Sequence, residues 1–229
     1  FEGTTVKVMA IPTKYPQGAE KMLIKVLVDR EVPSGSLPMD VGVVVQNVGT
    51  AVAICDAVAN GIPLIQRVTT ISGSAIKEPK NLLLRIGTTF EDAIENCGGF
   101  KEPPAKIIMG GPMMGFAQSN LNISIIKGVS GILGLSKKDI NNGTESACIS
   151  CGKCVSICPA GLNPSMLSIL GERDMYEEAK LEQNLFDCVE CGSCVYVCPA
   201  KRNIVQYIKY SKMRNNADAA KKKEALAKW

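Results

Sequence analysis

The chain has no histidine among its 229 residues, a single tryptophan, and only 5% aromatic residues. The first absence excludes a Ser-His-Asp relay, a Cys-His nucleophile pair, and any zinc, haem or Rieske centre held by imidazole. A proton switch near neutrality would need a perturbed Cys, Glu or Lys instead. Long apolar runs are missing too. The most apolar stretch, 41–65, is broken by Gln46, Asn47, Asp56 and Asn60, and reads as buried α/β structure rather than a membrane span. The chain opens Phe1-Glu-Gly-Thr-Thr, with neither Met nor a basic-then-apolar leader, and reads as a piece beginning inside an element of a longer protein. No G-x-G-x-x-G loop and no Walker A motif occurs.

What is present is ordinary in bulk and unusual in one residue. Apolar content of 46% and charged content of 21% fit a folded soluble protein, with chain enough for one to two domains. Charge divides unevenly. Residues 1–200 carry 17 basic and 20 acidic side chains, whereas 201–229 carry nine and two, so the net +4 combines a weakly acidic body with a basic tail. The tail includes Lys221-Lys-Lys, a pattern open to nucleic acid. The better reading of 218–228 is a solvated, alanine-rich helix near anionic headgroups or a neighbouring protein of an assembly, since few aromatics interleave for base stacking.

Local patterns outline the organisation. Thr4–Ile11 is β-branched and predicts a strand ended by Pro12; Gly18–Arg30 has helical apolar spacing at Met22, Leu23, Val26 and Leu27. Val41–Val45 predicts a second strand and Gly49–Asn60 a second helix, the start of an α/β pattern. Leu64–Ile71 and Asn81–Ile86 predict strands, Thr88 and Thr89 introduce a short helix through Ile94, and Lys106–Met109 predicts another strand, together a small α+β unit. The Gly110–Gly115 loop reads as a turn, and Gly18 and Asn47 as turn and cap residues. From 136 onward strand signals vanish, and helical segments at 165–170, 175–184 and 204–214 alternate with cysteine runs.

The chemistry lies in those runs. Of ten cysteines, eight fall between 148 and 198: Cys148, Cys151, Cys154 and Cys158 before Pro159, then Cys188, Cys191, Cys194 and Cys198 before Pro199. Both sets read C-x2-C-x2-C-x3-C-P. Three thiolates at this spacing wrap a loop round one iron–sulfur cube, and in two-cluster proteins the fourth reaches the other cube. The pattern predicts one [4Fe-4S] cluster on Cys148, Cys151, Cys154 and Cys198, and a second on Cys188, Cys191, Cys194 and Cys158. Gly152 and Gly192 free backbone amides to turn toward the sulfurs, and the prolines set the exit direction. Zinc knuckles do not call for two identical triplets with an appended Cys-Pro, and a disulfide scaffold does not match this distribution. The thirty positions from Cys158 to Cys188 look helical, which suits an α-helical ferredoxin module rather than a compact β-rich one. Cys55 and Cys97, each without a partner, read as buried small hydrophobes.

The run Cys188-Val-Glu-Cys-Gly-Ser-Cys-Val-Tyr-Val-Cys-Pro-Ala with Ile204-Val-Gln-Tyr-Ile-Lys resembles the C subunit of the Rnf complexes, the ion-translocating ferredoxin:NAD oxidoreductases of bacterial membranes. The likeness continues upstream through Cys148-Ile-Ser-Cys-Gly-Lys-Cys, Gly110-Gly-Pro-Met-Met-Gly, Gln46-Asn-Val-Gly-Thr and Lys14-Tyr-Pro-Gln-Gly-Ala-Glu-Lys, over essentially 6–214. It implies an α+β chain in four parts: a partial Rossmann-like flavin/NADH domain over 1–62, a β-grasp-like module over 63–135, a helical module with two [4Fe-4S] clusters over 136–214, and a basic tail over 215–229. By the same resemblance Tyr15, Gly18 and Glu20 match a flavin and NADH pocket motif in which Ala19 replaces an acidic residue. Gln46, Asn47 and Thr50 match a second pocket motif. The family's glycine-rich flavin loop has no counterpart here, so FMN and NADH are expected in full-length subunits and weakly or not at all in this stretch. The implied role is an electron relay between NAD(H)/flavin and membrane subunits, at the cytoplasmic side of the bacterial membrane and without a span of its own. Ferredoxin would be an indirect partner, and nucleic acid none. A cobalamin-reductase flavoprotein of similar architecture is the alternative.

Overall fold

The computed structural model describes residues 3, 5–140 and 143–226. The chain divides into two compact units, residues 1–45 with 144–229, and residues 46–143.

In the unit 46–143, helix α2 (Val48–Asn60) starts at Asn47, whose side chain accepts the Gly49 amide at 2.9 Å, and stops at Gly61 in the left-handed region. A mixed sheet of five strands follows: β1 (Gln66–Ser72), β2 (Lys80–Arg85), β3 (Lys106–Met109), β4 (Phe116–Gln118) and β5 (Gly131–Leu135), ordered β2-β1-β5-β3-β4. Of these pairs β1 and β5 run parallel, with Ile71 opposite Ile132. Helix α3 (Phe90–Glu95), capped by the Thr89 hydroxyl on the Asp92 amide at 3.1 Å, places Phe90, Ala93 and Ile94 in a core with Ile71, Ile76, Cys97 and Ile132. Gly73 sits at φ 114°, and a Cβ there would lie 2.2 Å from the Gly134 carbonyl oxygen, so the close approach of the chain to β5 just after β1 requires glycine.

In the other unit, helix α1 is Glu20–Val28. The cysteine segment contributes short helices α4 (Lys153–Ser156) and α7 (Ser193–Tyr196), longer α5 (Pro164–Glu172) and α6 (Tyr176–Glu182), and α8 (Ile204–Leu226). Leu167, Ala179, Leu185, Ile204 and Ile208 form their core. Helices α5 and α8 cross closely at Gly171, where a Cβ would meet the Tyr207 carbonyl oxygen at 2.8 Å.

Several expectations change. The strand expected over 4–11 is absent from its described residues: Val6–Ile11 is irregular, and Val8 is 77% exposed. Val41–Val45 is not a strand either, and Val44 is 71% exposed. β-branched residues favour a strand only where a neighbour completes the ladder, and none does so among the described residues. The α/β beginning is therefore two helices without a sheet. Cys97 is buried as expected, but Cys55 is exposed, because α2 buries none of its residues. Strands β4 and β5 have no counterpart among the expected elements. The helical segments expected at 204–214 and 218–228 are one continuous helix as far as Leu226; residues 227–229, Thr4 and 141–142 lie outside the described residues.

Candidate metal centre

Each cysteine run folds by the same local rules, displaced by 40 positions (148 to 188, 158 to 198). Ser150 and Glu190 take φ of 54° and 56°, and their amides donate to Cys148 Sγ and Cys188 Sγ, both at 3.4 Å. Gly152 (φ 72°, ψ −7°) and Gly192 (φ 80°, ψ −7°) then open α4 and α7. Positive φ at non-glycine Ser150 and Glu190 is costly, and it is what turns the loop amides onto the first sulfur. After each Cys-Pro the chain turns again, Gly161 and Lys201 donating to the Cys158 and Cys198 carbonyls at 3.2 Å. The correspondence runs on to Asn163 and Asn203, which stand immediately before α5 and α8.

Cys148, Cys151, Cys154 and Cys198 line one cavity of about 250 Å³, with Gly152 and Arg202 among the walls. Cys158, Cys188, Cys191 and Cys194 line a second, of about 20 Å³, with Leu162 and Leu167. The structure thus brings the fourth cysteine of each run to the triplet of the other. Among the described residues, no three Cys, Asp or Glu side chains are grouped so as to hold a single metal ion. Thiolates on a cube bind different irons and stand farther apart than ligands of one zinc, so the donor set fits a cluster better than an ion. Burial, followed by the charges of Cys188 and Cys191, pushes the Cys194 thiol up to about 12, and burial pushes Cys188 up as well. Thiols in such a setting hold their protons until metal displaces them. One buried donor, Arg202 Nε, has no partner beside the first cavity. This too fits a sulfur-rich group there.

The surroundings differ. Cys151 is exposed and Ile149 is 65% exposed, whereas Cys191 is 7% exposed and residues 191–194 are all buried. The Tyr15 hydroxyl donates to the Cys191 carbonyl at 2.5 Å. Lys212 Nζ donates to the Cys188 carbonyl at 2.7 Å and pairs with Glu190 at 2.8 Å. Neither Tyr15 nor Lys212 was legible as a neighbour of this loop: they lie 176 and 24 positions from their acceptors, and no local pattern joins them.

The residues matched to a flavin pocket fall into both units. Tyr15 lines a cavity of about 320 Å³ with Lys14, Met22, Val26 and Cys158, while Gly18 and Glu20 are exposed at the start of α1. In the other unit Gln46 is exposed, Asn47 caps α2, and Thr50 is half-buried in its first turn.

Family models match three stretches: the Nuo51 FMN-binding domain over 2–56, the SLBB domain over 68–117, and the 4Fe-4S dicluster domain over 147–202. The C subunit of the proton-translocating ferredoxin:NAD(+) oxidoreductase complex of Clostridium ljungdahlii is 73% identical over 223 residues, covering 97% of this chain and 49% of that protein. Its counterpart in the Na(+)-translocating complex of Acetobacterium woodii is 50% identical over 90% of this chain and 46% of its own length. Over most of its length the chain is similar to the C subunits of these ferredoxin:NAD(+) oxidoreductase complexes. It spans about half the length of these relatives. A further relative, the C subunit of an ion-translocating oxidoreductase complex from Pseudomonas aeruginosa, is 44% identical over 90% of this chain and 27% of that protein. The dicluster match encloses all eight cysteines of the two runs, and no described helix is long and apolar enough to cross a membrane.

Proposed function

We propose that this stretch of the C subunit holds two [4Fe-4S] clusters, one on Cys148, Cys151, Cys154 and Cys198 and one on Cys158, Cys188, Cys191 and Cys194, and relays electrons through them. The observation that carries this reading is the sorting of eight thiols into two four-cysteine cavities, each closed by the fourth cysteine of the other run. Bound cubes would supply one-electron redox chemistry. The chain supplies eight thiolates, the Ser150 and Glu190 amides toward sulfur, and two α-helices, α5 and α8, that hold both loops on one core. In the whole subunit the relay would join NAD(H) and FMN to the membrane subunits of an ion-translocating ferredoxin:NAD oxidoreductase, at the cytoplasmic face of the membrane. The finer assignments belong to the same proposal: a partial Rossmann-like part over 1–62 with Tyr15, Gly18, Glu20, Gln46, Asn47 and Thr50 toward flavin and NADH, and a β-grasp-like part over 63–135. The cobalamin-reductase alternative is not favoured, because the relatives belong to ferredoxin:NAD(+) oxidoreductase complexes.

Anaerobic loading with iron and sulfide tests the reading. About eight irons per chain, and on reduction an EPR spectrum of two interacting spins, are expected. About four irons, or cubes that cannot be reduced, would sink it.

A further inference from the structure

The displacement of 40 positions supplies an internal control for every residue around the two cavities, and at one place it pairs very different side chains. Arg202 in the second repeat matches Leu162 in the first. Each lines one cavity: Leu162 the one with Cys158, Cys188, Cys191 and Cys194, Arg202 the one with Cys148, Cys151, Cys154 and Cys198. Each is buried, 7% and 6% exposed. A leucine completes an apolar wall, whereas a buried guanidinium needs acceptors for every N–H it carries.

Arg202 is only partly supplied. Its Nη2 donates to Glu172 Oε2 at 2.6 Å, and its guanidinium carbon lies 5.7 Å from the centre of the Tyr207 ring. Its Nε is the one buried side-chain nitrogen or oxygen without a partner among the described residues. The neutralisation is lopsided as well: the Glu172 side chain is 47% exposed and does not line the four-cysteine cavity, while that of Arg202 is 7% exposed and does. Water screens the carboxylate more than the guanidinium, so net positive potential is left on the cavity side.

Resting on the cluster reading above, we propose that Arg202 is a positioning residue for the first cluster, donating its Nε–H to a sulfur there and raising that cluster's reduction potential. Reduction adds one electron, and therefore one negative charge, to a cube that four thiolates already make anionic. A fixed cation and an N–H donor at sulfur both favour the reduced form. The second cavity has leucine at this position, which supplies no N–H donor; the cation near it, Lys212, instead donates to the Cys188 carbonyl.

Potentiometric titration of the loaded full chain, followed by EPR, reads both clusters. The first is assigned by the signal lost in Cys198→Ala. Arg202→Leu installs the side chain that the matching position already carries. It should lower the reduction equilibrium of the first cluster about tenfold, equivalent to about 59 mV for one electron, and leave the second in place. Arg202→Lys, which keeps the charge but not Nε–H, should recover part of that shift. Equal shifts at both clusters, or none, would overturn the proposal. If Arg202→Leu fails to load, wild-type protein carrying 15N-arginine decides: the reduced first cluster should show a nitrogen hyperfine coupling, and its absence overturns the assignment. Failure of the underlying reading is distinct, since it appears as missing iron in the wild type before any variant is made.

Discussion

The two four-cysteine cavities share a backbone and differ in what surrounds it. The loops from Cys148 and Cys188 have the same sequence of positive φ values, the same amide-to-sulfur contacts and the same short helices. Yet the first opens to solvent around Cys151 and carries Arg202, while the second is packed beneath Tyr15 and Lys212 with Leu162 in its wall. Spacing and glycine fix the loop; the elements packed on it fix burial and charge. Potential and lability would follow from the second set, so the two proposed cubes on these matching loops should behave unequally.

The strongest way to break the comparison is to cut a cross-ligand. Cys198→Ala should remove the first cube and spare the second, although Cys198 belongs to the second run. Iron should fall from about eight to about four per chain, with the remaining EPR signal that of a single, non-interacting spin. Loss of the second cube alone would mean that each run closes on itself.

The two cysteine loops were legible from the sequence because their turns are written in local spacing: three cysteines, a glycine and a Cys-Pro fix a loop without distant help. The helices over 165–170 and 175–184 were legible for a similar reason, since a helix is built from local contacts; the Asn163 cap that opens the first is also a local signal, though one absent from the expectations above. The strands expected at 4–11 and 41–45 are absent among the described residues, because a strand depends on a partner that sequence pattern does not reveal. Conversely β5 lies between β1 and β3 despite Gly131 and Gly134, residues that lower strand propensity; at Gly134 the missing side chain permits close approach of Ile76 and Phe100. Arg202 was hidden for a different reason. Its burial depends on α5 bringing Glu172 to the start of α8, a tertiary event 30 positions away in the chain.

A sharper and smaller effect concerns lability. With Cys151 exposed and residues 191–194 buried, an iron chelator added anaerobically should strip the first cube faster than the second. The ratio should be on the order of tenfold, as expected when removal of one requires local opening that costs about 1.4 kcal/mol more. Biphasic bleaching, with the fast phase absent in Cys198→Ala, is the expected record. A single phase would show that exposure of Cys151 does not control access.

The smallest effect isolates one reason the second site is protected. Tyr15 holds the Cys191 carbonyl through its hydroxyl, tying the segment before α1 to the loop that carries Cys191 and Cys194. Burial, and then the Cys191 thiol, raise the phenol above its ordinary value of 10.0, so it stays protonated and remains a donor throughout the neutral and mildly alkaline range. Tyr15→Phe keeps the ring and deletes only that donor. Because the side chain is half exposed and water can replace the hydroxyl at the carbonyl, the loss should sit near the low end of a neutral hydrogen bond, about 0.5 kcal/mol. The slow phase of iron release should then quicken about twofold while the fast phase stays put. If instead both phases quicken together, Tyr15 steadies the whole helical core rather than the second loop. The contrast between the sites would then rest on Lys212, Leu162 and burial alone.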